Sequence, residues 1–98
     1  MAVCYISEFT ALANVSGCPV AMMPPIAQQT VAIGVEADSS AFNAATRYIR
    51  VHVDAICSIA IGLTPTATTS MLRLSAESTE YFAVPLNAGY KISVITNT

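Results

Sequence analysis

The chain holds one histidine, His52, and three cysteines, and these set the limits on its chemistry. His52 stands two residues before Asp54, so on an extended strand the two share a face. A histidine beside an acid is the pairing a general base needs. No G-x-S-x-G segment supplies a nucleophile, and Cys4, Cys18 and Cys57 carry no local signature of a reactive thiol. Their spacing is wide and no C-x-x-C pair is present, which argues against zinc and for free, mostly buried thiols. The acids Glu8, Glu36, Asp38, Asp54, Glu77 and Glu80 are scattered and form no calcium loop. The glycines lie too far apart to cradle a phosphate. The expectation is a protein without catalytic residues, metal or cofactor. The face bearing Tyr48, Arg50 and His52 is then a solvated face or an interaction surface.

The element that positions that face is the clearest in the sequence. From Thr46 to Asp54 the side chains alternate, with Tyr48, Arg50 and His52 on one side and Ile49, Val51 and Val53 on the other. A period of two is the mark of a half-buried strand. Asp54-Ala55 reads as a turn, and Ile56–Gly62 as a returning strand, so the stretch is expected to be a hairpin. Arg47 shares the aliphatic parity, which places it at the strand's entrance or in a pair with Glu36 or Glu80.

Other segments follow the same rule. Gln28–Glu36 alternates, with Val31, Ile33 and Val35 on one side. Met71–Ser75 and Glu80–Val84 are short strands, the first with Leu72 and Leu74 inward, and Tyr90–Thr96 is the last. Phe42 is expected to anchor the polar connection before the central stretch. Leu63–Ser70 is a loop with a candidate contact tip, and Asn87 and Gly89 suit a turn with positive φ. Roughly six or seven short strands and no helical period predict an all-β antiparallel sandwich or jelly roll over residues 28–98.

Residues 1–27 read differently. Val3–Thr10 has the look of a short strand, but Pro19, Pro24 and Pro25 interrupt the segment after it. Residues 1–27 are expected to be an extended arm, with Met22 and Met23 as adaptable apolar contacts beside Pro24 and Pro25. Such an arm either lies over a neighbouring subunit or packs on its own domain.

Composition narrows the function. The 98 residues make one domain. Apolar residues are 54% and charged residues only 10%, against about 25% in an ordinary domain. A surface so poor in charge suits coverage by other subunits, so a homo-oligomer or larger assembly is expected. Four dispersed cations and a net charge of −2 leave no footprint for nucleic acid. A membrane helix needs about 20 uninterrupted apolar residues, and no such run occurs. The N-terminus lacks the basic start and apolar stretch of a signal peptide, so synthesis in the cytoplasm is expected.

Residues 46–98 carry a resemblance. RYIRV, CSIAIG, PTAT, EYFAV and KISVI occur in that order, at Arg47–Val51, Cys57–Gly62, Pro65–Thr68, Glu80–Val84 and Lys91–Ile95. The series resembles a group of small proteins encoded in the structural-gene region of tailed bacteriophages. The resemblance implies a β-sandwich virion component, such as a head decoration (cement) protein or another minor virion protein. It implies the major capsid protein and copies of the chain itself as partners, and the virion as location. Met22, Met23, Pro24, Pro25, Tyr48, Arg50 and His52 are the interface candidates. A tail or fibre module that binds host glycans is the alternative.

Overall fold

A computed structural model of the chain describes residues 2–97. Ten strands form two four-stranded antiparallel sheets and one separate hairpin. The strands are β1 (Val3–Phe9), β2 (Leu12–Val15), β3 (Cys18–Ala21), β4 (Ala27–Ala32), β5 (Ala37–Asp38), β6 (Tyr48–Val53), β7 (Cys57–Gly62), β8 (Leu72–Leu74), β9 (Ser78–Ala83) and β10 (Lys91–Thr96). The first sheet runs β4-β1-β6-β9 and the second β5-β10-β7-β8. All pairings are antiparallel. The all-β sandwich expected from the sequence is present.

The core is built from one face of each sheet. Cys4 and Ile6 of β1 and Ile49, Val51 and Val53 of β6 meet Cys57 and Ile59 of β7 and Ile92 and Val94 of β10 in one buried cluster. Val31, Leu74 and Val84 extend it, and Phe42 anchors its connection there as expected. Glu8 lies on the same face and is also buried. Its carboxylate accepts hydrogen bonds from the Asn43 N–H (2.7 Å), the Thr46 hydroxyl (2.8 Å) and the Gln29 amide (3.2 Å). A buried carboxylate is tolerable only with such partners, and these tie the 39–46 connection to the first sheet.

Several expectations are corrected. Tyr48–Val53 and Cys57–Gly62 do not form a hairpin: β6 belongs to the first sheet and β7 to the second. The chain turns the corner of the sandwich at Asp54-Ala55-Ile56, so the two apolar faces meet across the core instead of side by side. The boundary at residue 27 does not coincide with the sheet either. β1 is paired on both sides, with β4 and with β6, so Val3–Phe9 is integral to the sandwich. The residues after β1 fold back on themselves as β2–β3, bonded to neither larger sheet. The tight turn of this hairpin has positive φ at Ser16 and Gly17, and Asn14 Oδ1 accepts the Gly17 N–H at 3.0 Å. Pro19 is accommodated because both strands of a two-stranded ribbon are edge strands, where proline is tolerated.

Val35 is 88% exposed, because β4 ends at Ala32 and the chain bends toward β5. Leu72 keeps the parity of Leu74 but overhangs the short β8 and stays half exposed. Arg47 is exposed and forms no pair with Glu36 or Glu80; among the described residues Lys91 pairs with Asp38, and His52 Nε2 lies 3.9 Å from Glu77, an ion pair only with the imidazole protonated. Glu36 instead accepts a hydrogen bond from the Ser93 hydroxyl. The 63–70 loop folds over the outside of the second sheet, where the Ala67 N–H donates to Ser93 Oγ at 2.8 Å and Ala67 is buried. Asn87 and Gly89 take the positive φ expected of their turn.

Candidate functional site

The outward face of the first sheet follows from the alternation of its strands. β6 buries Ile49, Val51 and Val53 and so must turn Tyr48, Arg50 and His52 outward. The register sets their neighbours. Phe9, Ser7 and Tyr5 of β1 lie on one side, and Ala83, Tyr81 and Thr79 of β9 on the other. Phe9 stacks on Tyr48 with ring centroids 5.0 Å apart and planes 11° from parallel. Tyr48 and Tyr81 are tilted at 6.5 Å, so an aromatic row crosses three strands. Contacts of this kind add roughly 0.5–1.5 kcal/mol each beyond area burial. The Tyr48 hydroxyl donates to the Ala11 carbonyl at 3.2 Å, tying the row to the start of the β2–β3 hairpin.

The hairpin and this face enclose a groove of about 790 Å³. Leu12, Pro19 and Val20 form the hairpin wall, and Tyr48, Tyr81 and Phe82 the sheet wall. Arg47 supplies its one charged side chain. Groove and hairpin together expose Leu12, Val15, Val20 and Tyr81.

His52 sits at the other end of the face. Its Nδ1 lies 2.8 Å from Thr79 Oγ1, its Nε2 lies 3.9 Å from Glu77, and its ring is tilted against Tyr5 at 6.2 Å. Asp54, the expected acid partner, is turned elsewhere: its Oδ1 accepts the Val3 N–H at 2.7 Å. The arrangement orients the imidazole through a hydroxyl and a neighbouring carboxylate. It suits polar contact at a surface.

Of the interface candidates, the structure brings together Tyr48, Arg50 and His52. Met22 and Met23 are exposed in the β3–β4 connection with Pro24 and Pro25, outside the groove. Sequence reasoning did not single out Tyr5, Phe9 or the hairpin as parts of the surface. The parity of β1 was the available signal, since Val3, Tyr5, Ser7 and Phe9 fall on one side of a strand.

Cys4 and Cys57 are buried, and Cys18 is exposed. Burial pushes the Cys4 thiol up to about 12, with further contributions from Cys57 and Asp54. Burial also raises Cys57. Neither is poised as a thiolate. Among the described residues no group of three His, Cys, Asp or Glu side chains is placed to hold a metal ion.

Comparison with protein-family models, with curated proteins and with solved structures finds no match to this chain.

Proposed function

We propose that this chain is a non-enzymatic structural protein of a tailed-phage virion, one that decorates the capsid and cements contacts between capsid subunits. Its partners are then the major capsid protein and copies of itself, and its place of action is the virion. The observation that carries the reading is the run of exposed apolar side chains along the β2–β3 hairpin and the connection after it, in a charge-poor sandwich. Leu12 is 55% exposed, Val15 57% and Met23 69%, all within or just after a hairpin that stands off the sheets. Patches of that kind mark surfaces that a partner covers. The motif series across residues 46–98 supports the phage assignment. Many weak contacts repeated over a lattice would add up to large resistance without any tight single site.

A second reading is favoured by the aromatic row. Tyr5, Tyr48 and Tyr81 face outward with Arg50 beside them, which is a platform for the apolar faces of sugar rings on a tail-borne receptor-binding module.

Mass spectrometry and cryo-electron microscopy of purified particles from the source test both readings. The capsid reading expects this chain at repeated lattice positions on the head, with the hairpin side against a neighbouring subunit. Absence from the particle overturns it. Confinement to the tail also overturns it, and binding to a host-glycan array would then establish the second reading.

A further inference from the structure

Of the four edge strands of the two larger sheets, three are short or covered. β5 has two residues and β8 three. β4 is longer, but the Gln29 side chain at its edge accepts the Ser40 N–H at 2.9 Å and donates to the Ser40 carbonyl at 3.2 Å, so the 39–43 connection lies against it. β9, Ser78–Ala83, is different. It has six residues without proline or lysine, its one charged side chain is Glu80, and it is bonded on one side only, to β6. Natural sheets blunt such edges with charge, proline, bulges or a covering segment. Among the described residues nothing is bonded to the free side of β9.

The hydrogen-bond parity of β9 is fixed by its end. The Val84 N–H donates to the Arg47 carbonyl at 2.9 Å, so by alternation Phe82 and Glu80 point their peptide groups at β6. Thr79, Tyr81 and Ala83 therefore present theirs to the open edge.

We infer that the β9 edge is an interface between two copies of this chain, paired antiparallel about a two-fold axis through Tyr81. Antiparallel pairing joins residues whose side chains share a face, so the axis must pass through a residue and not between two. An axis at Glu80 sets two carboxylates opposite each other, which is destabilising. An axis at Tyr81 sets Tyr81 against its own mate, Thr79 against Ala83, and Glu80 against Phe82. The peptide groups of the Tyr81 and Thr79–Ala83 pairs are the outward-pointing ones, so the ladder closes. The row Phe9–Tyr48–Tyr81 then continues into the same row of the second copy. Each Glu80 also moves toward the second copy's Arg47, and both side chains are exposed and free of ion pairs among the described residues. The groove beside Tyr81 and Phe82 is extended across the axis by the mate's aromatic side chains. An isologous contact of this kind uses one patch twice, as most closed oligomers do.

The test is the molar mass of the purified protein by light scattering, with cross-linking of cysteine variants. The wild type is expected to run at twice the chain mass of 10.3 kDa or a higher even multiple. Tyr81→Lys sets two ammonium groups at the axis and is expected to weaken the pair by about thirtyfold or more, the scale of losing an interface hot spot. In a Cys18→Ser background, Tyr81→Cys is expected to form a disulfide-linked dimer under mild oxidation. Facing Cα atoms of a hydrogen-bonded antiparallel pair lie about 5.5 Å apart, within disulfide range. Glu80→Cys, opposite Phe82, is expected to cross-link far more slowly. A monomeric wild type overturns the inference. So does a Tyr81→Cys protein that cross-links no faster than Glu80→Cys, and that comparison holds even where Tyr81→Lys fails to fold.

Discussion

Cys4 shows how a single side chain reports on the core. It is fully buried among apolar neighbours, and burial drives its thiol from the ordinary value of 9.0 up to about 12. The unfolded chain therefore releases this proton at lower pH than the folded one. Stability contributed by the buried neutral thiol is intact below pH 9 and is lost as pH rises from 9 toward 12, with a slope approaching about 1.4 kcal/mol per pH unit. Urea denaturation at several alkaline pH values checks this. The wild type is expected to lose stability more steeply than Cys4→Val, which lacks the proton and keeps the volume. Parallel curves would show that the thiol stays exposed to solvent. The cysteines are free and mostly buried, as their number and spacing suggested: Cys4 and Cys57 lie in the core, and Cys18 is exposed because it belongs to the separate hairpin.

At the scale of elements, periodicity revealed faces but not partners. The alternation of β6 correctly separated Ile49, Val51 and Val53 from Tyr48, Arg50 and His52. The same alternation is compatible with a hairpin and with a corner between sheets, since both bury one face of each strand. Which one forms depends on pairing with distant β1, β9 and β10, and no local pattern encodes that. The prolines likewise ruled out a central strand over residues 11–27 but not a two-stranded ribbon. That ribbon turns on Gly17, whose φ of +82° is strained for any residue with a Cβ. Gly17→Ala is expected to cost roughly 1–2 kcal/mol locally. Because β2–β3 is bonded to neither larger sheet, hydrogen exchange should accelerate in Leu12–Val15 and Cys18–Ala21 while β6 and β10 keep their protection. Equal acceleration in all of them would mean that hairpin and sandwich open as one unit.

For the whole molecule, the shortage of charge governs how it meets its neighbours. Its charged contacts among the described residues, Lys91–Asp38 at 4.0 Å and, with the imidazole protonated, His52–Glu77 at 3.9 Å, lie within one chain. The surfaces left over are apolar or aromatic: the hairpin, the groove and the Tyr81 edge. Self-association across them draws on area removed from water and on backbone pairing, which salt does not screen. The charged contribution at the β9 edge is one exposed Glu80–Arg47 approach in each direction, and exposed pairs are worth roughly 0–1 kcal/mol. Raising sodium chloride from low to molar concentration is therefore expected to change the dimer dissociation constant by less than about tenfold, and a kosmotropic salt such as sulfate should tighten it. Sedimentation velocity across a salt series reads this directly. A loss of several orders of magnitude would mean that charge and not apolar burial holds the copies together, and the hairpin side would no longer account for assembly.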